Sequence, residues 1–251
     1  MKVKVKKEGK VKEFKLISSW EDVTLEKWLK LIDFETGTKT EEATETIAAL
    51  SNIPKQLVKE LALKDVAVLM SKIAELQQKQ DTKLKKIIEI EGVEYGFHPD
   101  LDSITLGEYA DIETFIKNGV ENHLPELMAV LYRPIKEKKN DIYIIDAYDG
   151  NIRIRTEEMK KMSAQQVQAA LFFFYNFAKE LSAILPSFLM EQLTESFADK
   201  WGWFGVMYRL TNGEIVNLER ITNLGLLECL TWLSYETDLN SQNKVKRNGE
   251  Q

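Results

Sequence analysis

Two histidines, one cysteine and a run of carboxylates are the side chains whose types could do chemistry. A histidine acting as a general base needs a nucleophile or substrate proton within hydrogen-bond reach. His98 lies in "GFHPD", before a proline in an expected loop, and His123 lies in "NGVENHLPE", near an expected helix start. Nothing in the sequence places a serine or cysteine beside either one, so both are expected to be surface or capping residues. Cys229 sits among leucines in "LLECLTWL". A reactive thiolate needs an electropositive, partly exposed setting, so this thiol is read as buried and structural. The acids of "DLDSITLGEYADIE" (Asp100, Asp102, Glu108, Asp111 and Glu113) lack the alternating ligands, central glycine and closing glutamate of a calcium loop. They are read as loop and first-turn carboxylates favoured by the helix dipole. The phosphate-cradling patterns GxxxxGK[ST] and GxGxxG do not occur. No catalytic, cofactor-binding or metal-ligating residue is therefore assigned, and a non-enzymatic protein without cofactor is expected.

The elements that would position a site form a doubled pattern. Residues 2–16 alternate through Val3, Val5, Val11, Phe14 and Leu16 around Glu8-Gly9, and 86–97 alternate through Ile88, Ile90, Val93, Tyr95 and Phe97 around Glu91-Gly92. Both read as β-hairpins. Each is followed by nearly the same dozen residues, "VTLEKWLKLIDF" from Val23 and "ITLGEYADIETF" from Ile104. Thr24 and Thr105 suit the N-cap of a helix, and Glu108 completes a capping box where the first copy has Lys27. Val23 with Trp28, and Ile104 with Tyr109, have the spacing of a hydrophobic staple. The match extends to "IAALSNIP" with "MAVLYRPI", where each proline is read as ending a helix. It extends again to "ELALKDVAVLMSKI" with "KMSAQQVQAALFFF".

The expected fold is thus α+β and predominantly helical. It has a hairpin-helical unit over 1–80 and a related unit over 84–185, read as an internal duplication. The second unit carries an extra hairpin at 141–155, with Asp149-Gly150 as its turn. An aromatic-rich helical segment over 186–238 and a disordered tail over 239–251 complete the chain.

Hydrophobic residues make up 44% and charged residues 29% of the chain, enough for real cores. No run of 18 apolar residues marks a membrane helix. "MKVKVKKEGK" lacks the apolar stretch of a signal peptide, and a lone cysteine forms no disulfide framework. A cytosolic protein with no membrane partner is expected. The net charge of −6 argues against nucleic acid as a partner, and the N-terminal lysines read as guards of an edge strand.

The most unusual stretch is "AALFFFYNFAKELSAIL", whose Phe172, Phe173, Phe174, Tyr175 and Phe177 encircle a helix. Such a helix is expected to be buried on every side, or to keep one face for a partner. With Trp201, Trp203 and Phe204 of "WGWF", residues Phe172, Phe173, Phe174 and Phe177 form the candidate partner-binding set.

Two segments resemble known families. "ETIAALSNIPKQLVKELALKDVAVLMSKIAEL" is similar to the core of tailed-bacteriophage tail assembly chaperones, with Leu50, Pro54, Leu57, Leu61 and Asp65 in the pattern positions. "WGWFGVMYRLTNGEIVNLERITNLGLLECLTWLSYE" is similar to C-terminal segments of small virion-assembly proteins of Bacteroidetes phages. The resemblance implies a protein of the host-cell cytoplasm that binds apolar segments of tape-measure or tail-tube proteins until the tube polymerises, without chemistry. The alternative is a structural or packaged virion protein of the neck, tail or cargo, and a homo-oligomer is compatible with either.

Overall fold

A computed structural model of the chain describes residues 1–7, 10–33, 38–78, 83–184 and 200–249. The fold is α+β and predominantly helical, with antiparallel sheets of two and four strands.

Strands β1 (Lys2–Lys7) and β2 (Lys10–Lys15) pair antiparallel, with Lys2 opposite Lys15 and Lys7 opposite Lys10. The expected turn at Glu8-Gly9 lies outside the described residues. A 3-10 turn (Trp20–Asp22), capped by Ser19, leads to α1 (Leu25–Asp33), α2 (Lys39–Leu50), α3 (Lys55–Lys59) and α4 (Leu63–Gln78). The second unit repeats the order. Strands β3 (Ile87–Ile90) and β4 (Val93–Phe97) precede a 3-10 turn (Leu101–Ser103), α5 (Leu106–Lys117) and α6 (Leu124–Leu131). Glu91 and Gly92 both have positive φ, 51° and 83°, as a tight two-residue hairpin turn requires.

The helix entries behave as their letters predict. The Thr105 hydroxyl accepts from the Glu108 N–H at 3.2 Å, and the Glu108 carboxylate accepts from the Thr105 N–H at 2.7 Å. The Thr24 hydroxyl accepts a long bond from the Lys27 N–H, 3.4 Å, and Lys27 cannot return it. Val23 and Ile104 are buried before their helices, Tyr109 is buried, and Trp28 is half-buried. The parallel reaches the backbone: the Ile17 N–H donates to the Leu50 carbonyl at 3.0 Å, and the His98 N–H donates to the Leu131 carbonyl at 2.8 Å. Each partner in the second bond stands 81 positions after its counterpart, since 98 − 17 and 131 − 50 are equal.

The second unit then departs from the first. Helix α6 stops at Leu131, and the chain turns at once into β5 (Tyr132–Lys139), followed by β6 (Ile142–Ile145). The sheet order is β3-β4-β5-β6. The extra hairpin is therefore present, but it runs earlier than 141–155 and turns at Asn140-Asp141, with Asn140 at φ 57°. Pairing decides this. Tyr132, Arg133 and Pro134 lie opposite Phe97, Gly96 and Tyr95, so the strand must start where β4 can reach it. The prolines also sit past the helix ends they were expected to make: Pro134 is inside β5, and Pro54 caps the start of α3. Asp149-Gly150 instead forms a side-chain-closed turn, the Asp149 carboxylate accepting from the Asn151 N–H at 3.0 Å. Ile152 then caps α7 (Arg153–Met159), which contains Ile154, before α8 (Ala164–Ile184).

Beyond the residues left undescribed, α9 (Trp203–Leu210), α10 (Leu218–Thr222) and α11 (Leu226–Gly249) follow. Helix α11 crosses the stretch expected to be disordered from 239. Residues 239–248 contain neither proline nor glycine, and a helix nucleated by the packed Leu226–Leu233 face extends through such residues at little cost.

Two hydrophobic cores interlock across the expected divisions. The first gathers Leu16, Val23, Ile47, Leu50 and Ile53, and includes Ala164 from α8. The second gathers Phe97, Ile104, Leu106, Leu131 and Tyr132, and includes Leu25 from the first unit and Leu226, Cys229 and Leu230 from α11. The exchange rests on a repeated joint. The Leu25 N–H donates to the Met162 carbonyl and the Ala164 N–H to the Val23 carbonyl, at 2.7 and 2.8 Å. The same reciprocal pair recurs between Leu106 and Leu224 and between Leu226 and Ile104, at 2.9 and 2.8 Å. Each helix-entry segment thus also splices onto the start of a later long helix.

Candidate partner-binding surface

Helix α8 is not buried all round. Phe174 is 3% exposed and lies in the second core, its ring centroid 5.9 Å from that of the half-buried Phe177. Phe172 and Tyr175 are 65% and 66% exposed. They sit three positions apart, on the side of the helix away from Phe174. Phe173 lies between the two regimes, exposed at 46% yet edge-on to Phe97 at 5.6 Å. The reason is positional: α8 packs by Val167, Ala170 and Phe174, and five aromatics in six places cannot share that one face.

The "WGWF" stretch is divided in the same way. Trp203 turns inward, edge-on to Tyr109 at 5.4 Å. Trp201 and Phe204 are exposed, with ring centroids 5.9 Å apart, and the Lys200 ammonium lies 5.0 Å from the Trp201 centroid. Of the candidate residues, then, Phe172, Phe173, Trp201 and Phe204 meet solvent, whereas Phe174, Phe177 and Trp203 hold the core together. Sequence reasoning passed over a further stripe on α11, where Trp232, Tyr235 and Leu239 are exposed. Leu226, Cys229, Leu230 and Leu233 are buried there, and placing them on a helical wheel puts Trp232 and Tyr235 outside that face.

The densest polar cluster is interior. Glu108, Arg133 and His98 are all buried, and Glu108 takes an ion pair from Arg133 with His98 Nε2 at 3.6 Å from its other oxygen. His98 is therefore neither a surface nor a capping residue. Its N–H extends the β4–β5 pairing onto the Leu131 carbonyl at the end of α6. Burial alone would raise the Glu108 carboxyl. Its contact with His98, the Arg133 charge and the Thr105 N–H outweigh burial and hold it at about 2. Arg133 also lies 5.8 Å from the Tyr148 ring, whose hydroxyl donates to Asp111. This cluster is a clamp joining β4, α5 and β5, with its charges compensated inside the protein.

His123 stands at the start of α6 with no side-chain capping bond, its ring 5.5 Å from Phe115. Cys229 is buried, and desolvation pushes its thiol up to about 11. Among the described residues no three His, Cys, Asp or Glu side chains converge as a metal site, and no helix is long and apolar enough to cross a membrane. Comparisons with protein-family models, with curated proteins and with solved structures give no match.

Proposed function

We propose that the protein is a non-enzymatic phage assembly factor, a tail assembly chaperone that holds apolar segments of a tape-measure or tail protein in the host-cell cytoplasm. The observation that carries this reading is the exposed aromatic side chains of α8 and of the Trp201–Phe204 stretch. Phe172, Tyr175, Trp201 and Phe204 present rings to solvent beside a fully packed core. Exposed aromatic surface of this kind marks interaction sites, and an amphipathic client helix would bury it. The similarity of residues 45–76 to tail assembly chaperones supplies the client class. Mechanistically, the client is sheathed through apolar contact and released when tail polymerisation offers a better partner.

The test is co-expression with a tape-measure protein. The wild-type chain keeps the client soluble and co-purifies with it. A Phe172→Glu, Phe204→Glu double variant loses both properties while its thermal unfolding stays within a few degrees of wild type. Client capture that survives the double variant, or abundant copies of the protein in purified virions, overturns the reading, the latter in favour of a virion component.

A further inference from the structure

The splice that joins a helix-entry segment to a later helix start is made twice, but three helix starts share its form. Leu61-Ala62-Leu63 enters α4 as Met162-Ser163-Ala164 enters α8 and Leu224-Gly225-Leu226 enters α11: a short helix, a bend, then the long helix. At the second and third starts the bend residue bridges a threonine, Ser163 with Thr24 and Gly225 with Thr105. Ala164 and Leu226, the first residues of those helices, are 0% exposed. At the first start, among the described residues, no bridge forms at Ala62, and Leu63 is 81% exposed.

The cavities beside these starts correspond as well. One of about 260 Å³ lies between Ile87–Ile90 of β3 and Met162, Ser163 and Gln166, with Glu21 of the docked segment at its rim. Another of about 380 Å³ lies between Lys2–Val5 of β1 and Leu61, Asp65 and Leu69 of the α4 region. The β3 strand meets the first as β1 meets the second, because Met1 and Lys86 occupy the same place opposite Leu16 and Phe97. Among the described residues, no entry segment lies at the larger cavity as Glu21 lies at the smaller.

We propose that the Leu61–Leu63 edge, beside this larger cavity, is a docking site for a helix-entry segment of a partner protein. The segment reads large apolar residue, acid, any residue, β-branched residue, threonine, leucine. The two internal occupants define that chemistry: Trp20-Glu21-Asp22-Val23-Thr24-Leu25 and Leu101-Asp102-Ser103-Ile104-Thr105-Leu106. Their final leucines, Leu25 and Leu106, are fully buried, and their backbones exchange two hydrogen bonds with the helix start. The acid has a counterpart too. Glu21 pairs with Lys85 beside the smaller cavity, and Lys4 and Lys72 line the larger one. The occupant comes from another protein because both such segments of this chain are already engaged within it. The site stands apart from the exposed aromatic side chains of α8 and of the Trp201–Phe204 stretch and does not depend on them.

Fluorescence anisotropy tests this with the full chain and labelled synthetic peptides copying residues 20–33 and 101–117. Saturable one-to-one binding is expected, lost when Thr-Leu in the peptide becomes Gly-Gly. Leu63→Pro removes the N–H that would donate to the segment while keeping a residue that a first helical position accepts. It should weaken binding about fivefold to tenfold, the worth of one backbone hydrogen bond. Val68→Glu, on the exposed groove wall, should weaken binding as well and covers the case in which the proline variant fails to fold. Absence of saturable binding, or equal affinity for both variants and wild type, overturns the proposal. Sedimentation of the chain alone as a dimer that Val68→Glu dissociates and the peptide does not overturns it in favour of a second copy.

Discussion

Replacing Glu108 with alanine removes the counter-charge of a buried guanidinium. Glu108 is 1% and Arg133 4% exposed, so water cannot take the place of the lost carboxylate. The gap between about 2 and the ordinary 4.5 for this carboxyl corresponds to about 3 kcal/mol of stability at neutral pH. Stranding Arg133 as a lone buried charge costs about 3–5 kcal/mol by the same reasoning seen from the partner. Both routes predict a loss of about 3 kcal/mol or more, a large part of a domain's net stability. The assay is urea unfolding at pH 7 followed by tryptophan fluorescence, with Glu108→Ala beside wild type. A Glu108→Leu, Arg133→Met double variant should recover much of the loss, since both charges leave together.

The pH dependence follows from the sign of the shift. A carboxyl held low in the folded state binds its proton more readily when unfolded, so its stabilisation is complete above about pH 4.5. It fades as the pH falls to about 2. Wild type should therefore lose about 3 kcal/mol more than Glu108→Gln between pH 5.5 and pH 2. A Glu108→Ala loss under about 1 kcal/mol, or parallel pH profiles for wild type and Glu108→Gln, would refute the buried clamp.

A Cβ on Gly96 would run into the ring of Tyr143 and the Ile145 side chain, so Gly96→Ala should destabilise by about 1–3 kcal/mol in the same urea assay. An unchanged midpoint would show that β4 and β6 are less closely layered. Cys229, with its thiol at about 11, should react with a disulfide reagent at pH 8 far more slowly in the native chain than in denaturant. Equal rates would place the thiol outside the core.

Local features were legible in the sequence because their causes lie within a few residues. The capping box of Thr105 and Glu108, the Glu91-Gly92 turn and the alternation of β3 and β4 are settled by neighbours, and their letters suffice. The hairpin after α6 was readable as a hairpin but not in its position, because a choice between Asn140-Asp141 and Asp149-Gly150 depends on where β4 lies. The aromatic run of α8 identified an unusual surface, while the division of its rings between core and solvent depended on which side meets β4 and α6.

The sequence by itself determined two hairpin-helical units and their helix entries. Tertiary structure alone decided that His98 lies beside Glu108, that the two cores exchange Leu25 and Ala164, and that each Val/Ile-Thr-Leu entry joins a distant helix start. The physical reason is range. Caps and turns are closed by bonds to residues three or four positions away, whereas the Thr24–Ser163 bridge is favoured only after both units have folded and brought their backbones together.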